Sequence, residues 1–143
     1  DPGAVMATPV LRCTGAQRAA LLAERAAGRV GGTTAVFGVD GRALYFSKEV
    51  IPFAAARYPD DAETPVFHHV GLYAYRAAAL AAYPRLPEGR LERLEGLEQL
   101  RFLEAGQPVA CVAVESRGRP FWELNNPEDV PVMERMLSEA GLD

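Results

Sequence analysis

The sequence is poor in the residues that most readily reveal a function. It contains two cysteines and two histidines among 143 residues, and no Cys-x-x-Cys pair, so a zinc site is not expected. It also lacks a secretory signal and any apolar run of about 18 residues, the length that a membrane-spanning helix needs. We therefore expect neither export nor association with a membrane.

Positive charge is scarce as well. Fifteen lysines and arginines face nineteen acidic residues, which gives a formal net charge of −4. A nucleic-acid-binding surface needs a basic stripe, so nucleic acid is not an expected partner. The composition, 49% hydrophobic and 24% charged, is ordinary for a soluble domain with a real core. We expect a cytoplasmic protein in which Cys13 and Cys111 are reduced core residues rather than a disulfide.

Apolar patterning predicts alternating strands and helices. The Asp40-Gly41 pair between two β-rich runs is a strong signal for a hairpin. We predict strands at 5–11, 33–39, 42–48, 65–76 and 109–114, and helices at 17–27, 77–82, 91–104 and from Asn126 onward. Such alternation predicts an α/β sheet with the hairpin as an antiparallel excursion. No repeat or linker divides the chain, so we place no domain boundary.

Alternate residues of the run 65–76 form two faces of different character. One face carries Phe67, His69, Gly71, Tyr73 and Tyr75, and the other is almost entirely aliphatic. We expect the aliphatic face to join the core and the aromatic face to form a wall that a ligand approaches. A lone histidine on such a strand is more often structural than functional, so this pattern leaves both roles open for His69. The neighbouring His68 points the opposite way.

The predicted helix 91–104 presents polar groups on one side. Glu92, Glu95 and Gln99 stand at i, i+3 and i+7 and would share a face. The residues alone allow two interpretations: a solvated stripe, or acceptors aimed at the hydroxyls of a sugar.

Three segments, taken together and in order, are similar to one family. They are Ala-Leu-Tyr-Phe-Ser-Lys at 43–48 with Ile-Pro-Phe at 51–53, Phe-His-His-Val-Gly-Leu-Tyr-Ala-Tyr-Arg at 67–76, and Leu-Glu-Arg-Leu-Glu-Gly-Leu-Glu-Gln-Leu-Arg at 91–101. From about Met6 onward the chain resembles the C-terminal half of the 3-deoxy-manno-octulosonate (KDO) cytidylyltransferase family. The resemblance implies part of a nucleotide-diphospho-sugar transferase-like (Rossmann-like) three-layer sheet. It also implies an enzyme that converts CTP and KDO to CMP-KDO and pyrophosphate for lipopolysaccharide or capsule biosynthesis.

The same resemblance implies roles for individual residues. His69, Tyr73, Glu92 and Gln99 would orient the sugar, with Glu95 supporting them. Lys48, the candidate catalytic residue, stands where the family usually has arginine and would meet the carboxylate of KDO. A lysine offers one rotatable ammonium where arginine offers a two-pronged fork, so it would hold the carboxylate less firmly. A lysine that protects an edge strand from aggregation is an equally good explanation of Lys48.

Asn125 marks a departure from the family pattern, which has an aspartate there that helps to bind magnesium. An amide oxygen can also ligate Mg²⁺, without the charge of a carboxylate, so Asn125 is the candidate metal ligand. The alternative is that Asn125 and Asn126 serve only to cap the last helix.

The resemblance also implies that half of the enzyme lies elsewhere. The nucleotide-binding loop and a Gln-Gly-Asp-Glu-Pro segment are expected upstream of Asp1. Residues 1–143 would then be the C-terminal, sugar-binding and dimerisation part of a single nucleotidyltransferase domain, inactive alone. The family is similar in pairing its subunits through the hairpin, so we expect a homodimer. Two alternatives remain: a nucleotidyltransferase for another acidic or amino sugar, and a non-catalytic binding or assembly module.

Overall fold

A computed structural model describes residues 2–117, 121–124 and 127–141. The strands are β1 (Met6–Thr14), β2 (Thr34–Phe37), β3 (Ala43–Ser47), β4 (Glu63–His69), β5 (Ala74–Tyr75) and β6 (Val109–Val114). The helices are α1 (Gly15–Ala26), α2 (Ala77–Ala82), α3 (Arg90–Glu95), α4 (Leu100–Glu104) and α5 (Asp129–Glu139), with a 3₁₀ turn at Tyr83–Arg85. Within these residues, none of the helices has the length and hydropathy that crossing a membrane requires.

The six strands form one mixed sheet around β1. Strand β6 runs parallel to β1, with Met6 opposite Val109, while β4 and β5 pair antiparallel with the two halves of β1. Strands β2 and β3 extend the sheet beyond β4 as an antiparallel hairpin. The sheet curls so that the turn of the hairpin reaches β6. There the Cys111 N–H donates a 2.8 Å hydrogen bond to the Gly41 carbonyl.

Helices cover both faces of the sheet. On one face, Met6, Val10, Phe46, Leu100 and Phe102 are buried in the main core, which brings α4 against the hairpin. Each fully buried phenylalanine contributes about 2–3 kcal/mol of hydrophobic free energy. The other face packs α1 through a second cluster of Cys13, Leu21 and Val66. The expected three-layer α/β arrangement is therefore confirmed.

Local contacts set the ends of several elements. Thr14 Oγ1 accepts a 3.3 Å hydrogen bond from Gln17 N–H, and Gln17 Oε1 accepts one of 2.8 Å from Thr14 N–H, so a capping box starts α1. The hairpin turns at Gly41, whose φ of 78° is a conformation that glycine adopts without strain. Cys13 and Cys111 are free and buried, and burial raises their thiol pKa values to about 11 and about 12.

The prediction of one helix over 91–104 was wrong. Gly96 adopts the left-handed conformation with φ 61° and ends α3, and α4 begins four residues later at Leu100. Leu94 is 71% exposed, whereas Leu97 and Leu100 are buried. Leucines at intervals of three fit one long helix or two short ones equally well. Because the chain changes direction at Gly96, Glu92, Glu95 and Gln99 do not share one helix face.

The predicted strand 65–76 is also interrupted. Strand β4 ends at His69 and pairing with β1 resumes at Ala74, while the backbone turns between them with a 2.7 Å hydrogen bond from Leu72 N–H to the Val70 carbonyl. Leu72 is 66% exposed, contrary to the expectation that the aliphatic face joins the core. Tyr73 instead packs on the main core. A period of two holds only while the strand continues, so the expected faces fail after His69.

Candidate functional site

A cavity of about 390 Å³ lies where the end of β3, the segment after β4 and the turn between α3 and α4 meet. Among the residues that line it are Lys48, His69, Gly71, Tyr73, Glu98 and Glu123. Three of the residues singled out from the sequence, Lys48, His69 and Tyr73, are thus brought to a single hollow although they come from different segments.

Lys48 directly follows β3 and is held at its backbone. Its N–H donates a 2.9 Å hydrogen bond to Glu95 Oε2. Its ammonium lies against Gly96, where a Cβ would stand only 2.9 Å from Lys48 Nζ. The absence of a side chain at Gly96 therefore leaves the space that the ammonium occupies beside the cavity.

Glu95 fastens the end of β3 rather than lining the cavity. Besides the Lys48 N–H, its carboxylate accepts hydrogen bonds from Ser47 Oγ at 2.7 Å and from the Tyr45 hydroxyl at 3.3 Å. Ionised acceptors form the stronger class of hydrogen bond, so this carboxylate is a firm anchor. The structure places Glu95 as a support for Lys48.

His69 is 3% exposed and its imidazole is enclosed by polar and aromatic groups. Its Nε2 lies 3.0 Å from Thr8 Oγ1, and its ring meets Phe46 edge-on with centroids 5.1 Å apart. Burial disfavours the charged imidazolium and lowers the His69 pKa to about 4, although the nearby Glu123 carboxylate acts in the opposite direction. His69 is therefore a neutral hydrogen-bonding group at physiological pH.

Tyr73 brings a phenol to the same cavity. Its hydroxyl donates a 3.3 Å hydrogen bond to Gln99 Oε1. Burial raises the Tyr73 pKa, and the Glu98 carboxylate raises it further. The phenol therefore stays protonated and can donate or accept hydrogen bonds.

Gln99 is fully buried behind Tyr73 and is not among the residues that line the cavity. Within the part of the chain that the structure describes, its amide nitrogen has no hydrogen-bond partner. A fully buried amide with an unused donor is costly, since such groups are normally satisfied. Gln99 therefore contacts the Tyr73 phenol from behind the cavity and does not itself line it.

Glu92 faces a different environment from the one expected. Both of its carboxylate oxygens accept hydrogen bonds from the Arg101 guanidinium, at 2.7 and 2.6 Å. The Arg101 guanidinium holds the Glu92 pKa below its usual value and also stacks over the Tyr83 ring at 4.3 Å. Glu92 is not among the residues lining the cavity, and its contacts join α3 to α4.

Two carboxylates of the cavity, Glu98 and Glu123, were missed in the sequence. Glu98 stands three residues after Glu95, so a continuous helix would also have put it beside that residue, and the spacing alone did not single it out. The structure places it in the turn between α3 and α4 that lines the cavity. The Glu123 carboxylate approaches His68 Nε2 to 3.6 Å, so His68, although it points away from His69, lies beside a residue that lines the cavity.

The candidate metal ligand Asn125 lies outside the described residues. Within residues 2–117, 121–124 and 127–141, no three His, Cys, Asp or Glu side chains are grouped closely enough to hold a metal ion. Asn125 as a metal ligand stays a prediction.

The cavity combines complementary polar groups. It has one cation at Lys48, a neutral imidazole at His69, a phenol at Tyr73 and two carboxylates at Glu98 and Glu123. Such a set can hold a small molecule that carries one negative charge and several hydroxyls, because hydroxyls pair with imidazole, phenol and carboxylate alike.

Comparisons with known proteins agree with this chemistry. A family model described as Cytidylyltransferase matches residues 26–114. The chain is 40% identical over 141 residues to the 3-deoxy-manno-octulosonate cytidylyltransferase of Maricaulis maris, covering 99% of this chain and 53% of that protein. It is 42% identical over 103 residues to the 8-amino-3,8-dideoxy-manno-octulosonate cytidylyltransferase of Shewanella pealeana, covering 72% and 39%.

One solved structure extends the similarity to the fold. It is that of CMP:2-keto-3-deoxy-manno-octonic acid synthetase complexed with CTP, with a TM-score of 0.69 and 28% identity. The match covers 98% of this chain and 52% of that one. The chain thus spans about half the length of the Maricaulis maris protein and of this solved structure.

Proposed function

The chain belongs to the cytidylyltransferase family, and on that premise we propose that it supplies the sugar pocket of an enzyme that activates KDO. The whole protein would condense CTP with KDO to CMP-KDO and pyrophosphate, in the service of lipopolysaccharide or capsule assembly. The observation that carries the proposal is the meeting of Lys48, His69 and Tyr73 in one cavity.

Each group of the cavity has a task in this proposal. KDO carries one carboxylate and several hydroxyls. Lys48 pairs with the carboxylate, while His69, Tyr73 and Glu98 form hydrogen bonds with the hydroxyls. Because these side chains come from three segments fixed by the core, the sugar is held in one orientation. Orientation of this kind lowers the entropic part of the activation barrier.

The reaction itself is a substitution at phosphorus. The anomeric hydroxyl of KDO attacks the α-phosphorus of CTP, a new bond forms between that oxygen and phosphorus, pyrophosphate leaves, and the hydroxyl proton passes to solvent or to a base. The residues described here bind and orient the attacking sugar. Magnesium stays an expectation that rests on Asn125.

The direct test is release of pyrophosphate by the whole protein supplied with CTP, Mg²⁺ and KDO. We expect turnover that depends on KDO and falls in the variant Lys48→Ala, chiefly through a higher KM for the sugar. Absence of turnover with KDO and with related sugar acids would reject the enzyme and leave a non-catalytic binding module. A large gain in activity from Asn125→Asp would show that the amide weakens the natural site.

An amino sugar is the second candidate substrate. Relatives named as 8-amino-3,8-dideoxy-manno-octulosonate cytidylyltransferases are as similar as several of those named for KDO. An ammonium on the substrate would also suit the carboxylates of Glu98 and Glu123. Comparing kcat/KM for KDO and for its 8-amino analogue decides between the two, with sialic acid as a third sugar acid.

We further propose that the protein is a homodimer joined through the hairpin. Strand β3 is the terminal strand of the sheet order, and Leu44 on it is 68% exposed. An apolar edge strand gains from being covered by another chain. Sedimentation equilibrium should give twice the monomer mass for the whole protein, and a monomer for Leu44→Asp; a monomeric parent would contradict the proposal.

We place the reaction in the cytoplasm. Two free, buried cysteines suit a reducing compartment, where thiols stay unpaired. Fractionation of cells that produce the protein should recover it with the cytosolic enzymes, and recovery with the periplasmic fraction would contradict this placement.

A further inference from the structure

The hydroxyl of Thr8 sits at the centre of the polar groups behind the cavity. Thr8 is 1% exposed on β1. Its Oγ1 lies 3.0 Å from His69 Nε2, 3.0 Å from the Val70 carbonyl oxygen and 2.9 Å from the Leu72 carbonyl oxygen. One hydroxyl therefore contacts the imidazole of the site and the backbone of the segment that follows it.

These three contacts decide where the protons are. A carbonyl oxygen can only accept a hydrogen bond, and a hydroxyl has one proton to donate. If the Thr8 proton pointed at His69 Nε2, both carbonyl oxygens would face lone pairs of the hydroxyl at 3.0 and 2.9 Å. The proton is therefore placed towards Val70 or Leu72, or shared between them. The Thr8 oxygen is then an acceptor towards His69, so His69 Nε2 carries the hydrogen.

We propose that Thr8 is a positioning residue that fixes His69 as the Nε2–H tautomer and so makes Nδ1 a hydrogen-bond acceptor for a hydroxyl of the bound sugar. The identity of that ligand rests on the proposed function, whereas the tautomer rests on the geometry alone. Since His69 Nε2 is hydrogen-bonded to the Thr8 hydroxyl, Nδ1 is the ring nitrogen that remains for a ligand. An acceptor nitrogen repels a carboxylate, so the carboxylate of the sugar is directed to Lys48.

The environment of His69 keeps this arrangement neutral. Burial of the ring lowers the His69 pKa to about 4, so the imidazole is uncharged above about pH 5 and one of its two nitrogens is free of hydrogen. A charged ring would carry a hydrogen on both nitrogens and could not accept one from a sugar hydroxyl.

Thr8 also anchors the segment between β4 and β5, which carries Gly71 and Tyr73 to the cavity. Its hydroxyl binds the Val70 and Leu72 carbonyls, and the Val70 N–H donates a 3.0 Å hydrogen bond to the Pro9 carbonyl of the same strand. One hydroxyl on β1 therefore contacts both the imidazole of the site and the backbone that leads to Tyr73.

The first test reads the tautomer and needs no sugar. The whole protein labelled with ¹⁵N-histidine would be studied by long-range ¹H–¹⁵N correlation at pH 7.5, with the variants His68→Gln and His69→Gln used to assign the signals. We expect Nε2 of His69 to be protonated and Nδ1 to be unprotonated. The opposite tautomer, or averaging between the two, would overturn the proposal even if KDO proves to be the substrate.

The second test follows the consequence for binding. Thr8→Val removes the hydroxyl while keeping the shape, and Thr8→Ser keeps the hydroxyl. We expect the valine variant to lose the single tautomer and to raise the KM for the sugar by about tenfold, with a smaller effect on kcat. The serine variant should retain both the tautomer and a KM within about twofold of the parent.

Thr64→Val is the matched control. Thr64 is also a buried threonine of the sheet, and its hydroxyl donates a 2.9 Å hydrogen bond to the Cys13 carbonyl, away from the cavity. It should lower stability without changing the His69 tautomer or the KM. If Thr8→Val leaves the tautomer and the KM as in the parent, Thr8 has no positioning role. If Thr8→Val does not fold, the proposal is still tested by the His69 tautomer of the parent protein and by the tautomer and KM of Thr8→Ser.

Discussion

The carboxylate of Glu95 accepts a 2.9 Å hydrogen bond from the backbone N–H of Lys48, and this contact ties the end of β3 to the end of α3. Ser47 and Tyr45 bind the same carboxylate through their hydroxyls. Lys48 is thereby held at its backbone while its ammonium stays beside the cavity. The cation of the proposed sugar site thus depends on a residue that does not line it.

Glu95→Gln should therefore impair sugar binding indirectly. The amide keeps only one acceptor oxygen, and its N–H₂ group faces either the Lys48 N–H or the hydroxyls of Ser47 and Tyr45, so the end of β3 loosens. We expect the KM for KDO to rise about tenfold in steady-state assays, with kcat less affected. Glu139→Gln, which changes an exposed glutamate on α5, is the matched control. An unchanged KM in Glu95→Gln would show that Lys48 needs no such support.

Gly96→Ala should displace the Lys48 ammonium. An alanine at φ 61° costs about 1 kcal/mol of backbone strain, and its Cβ would stand 2.9 Å from Lys48 Nζ. The long lysine side chain can move aside, so we expect a modest fall in the melting temperature together with a higher KM for the sugar.

Gly106→Ala separates these two effects. Gly106 has a similar φ of 69° but nothing within 4 Å of its added Cβ. Gly106→Ala should therefore lower the melting temperature while the KM for the sugar stays as in the parent. Equal KM values in the two variants would mean that the position of Lys48 does not matter for binding.

The Glu92–Arg101 pair should contribute to stability rather than to sugar binding. Arg101→Met leaves the carboxylate of Glu92, whose side chain is only 9% exposed, without its partner. We expect a loss of about 3 kcal/mol in the free energy of unfolding, measured by urea denaturation. Glu92→Gln should also destabilise the protein while the KM for KDO stays as in the parent. If Glu92→Gln raises the KM for KDO without changing stability, Glu92 takes part in sugar binding.

His69 should make the stability depend on pH. Its pKa is lowered from 6.5 to about 4 in the folded protein, so on acidification the unfolded chain takes up a proton that the folded one resists. Stability is therefore unaffected by His69 above pH 6.5 and falls as the pH drops towards 4. The loss between pH 6.5 and 5 is about 2 kcal/mol.

Urea denaturation across that pH range checks this prediction. The charged or titratable groups near His69 are Glu123, His68 and Glu98. His69→Gln should flatten the slope of stability against pH, whatever its effect at neutral pH. The same slope in the variant as in the parent would show that His69 is not buried as described.

Structural features that depend on only a few adjacent residues were predictable from the sequence. The Thr14–Gln17 capping box and the Asp40-Gly41 hairpin turn are local, so a short stretch determines them. The faces of the strand up to His69 follow from alternation, and the same pattern places His69 and Tyr73 on the wall that a ligand would approach.

Features that depend on a change of chain direction were not predictable. The leucines of 91–104 repeat every third residue, a spacing that does not distinguish one helix from two. Only packing decides that Gly96 turns left-handed, and that turn separates Glu92 from the cavity and brings Glu98 to it. The role of Thr8 likewise depends on pairing between strands some sixty residues apart in the chain, which no local pattern encodes.

A crystal structure of the whole protein with bound KDO tests the central claim most directly. The account predicts the sugar in the cavity of Lys48, His69, Tyr73 and Glu98, with its carboxylate within about 4 Å of Lys48 Nζ and a hydroxyl on His69 Nδ1. Finding the sugar in another hollow, such as the one lined by Arg12, Phe67 and His68, would contradict it.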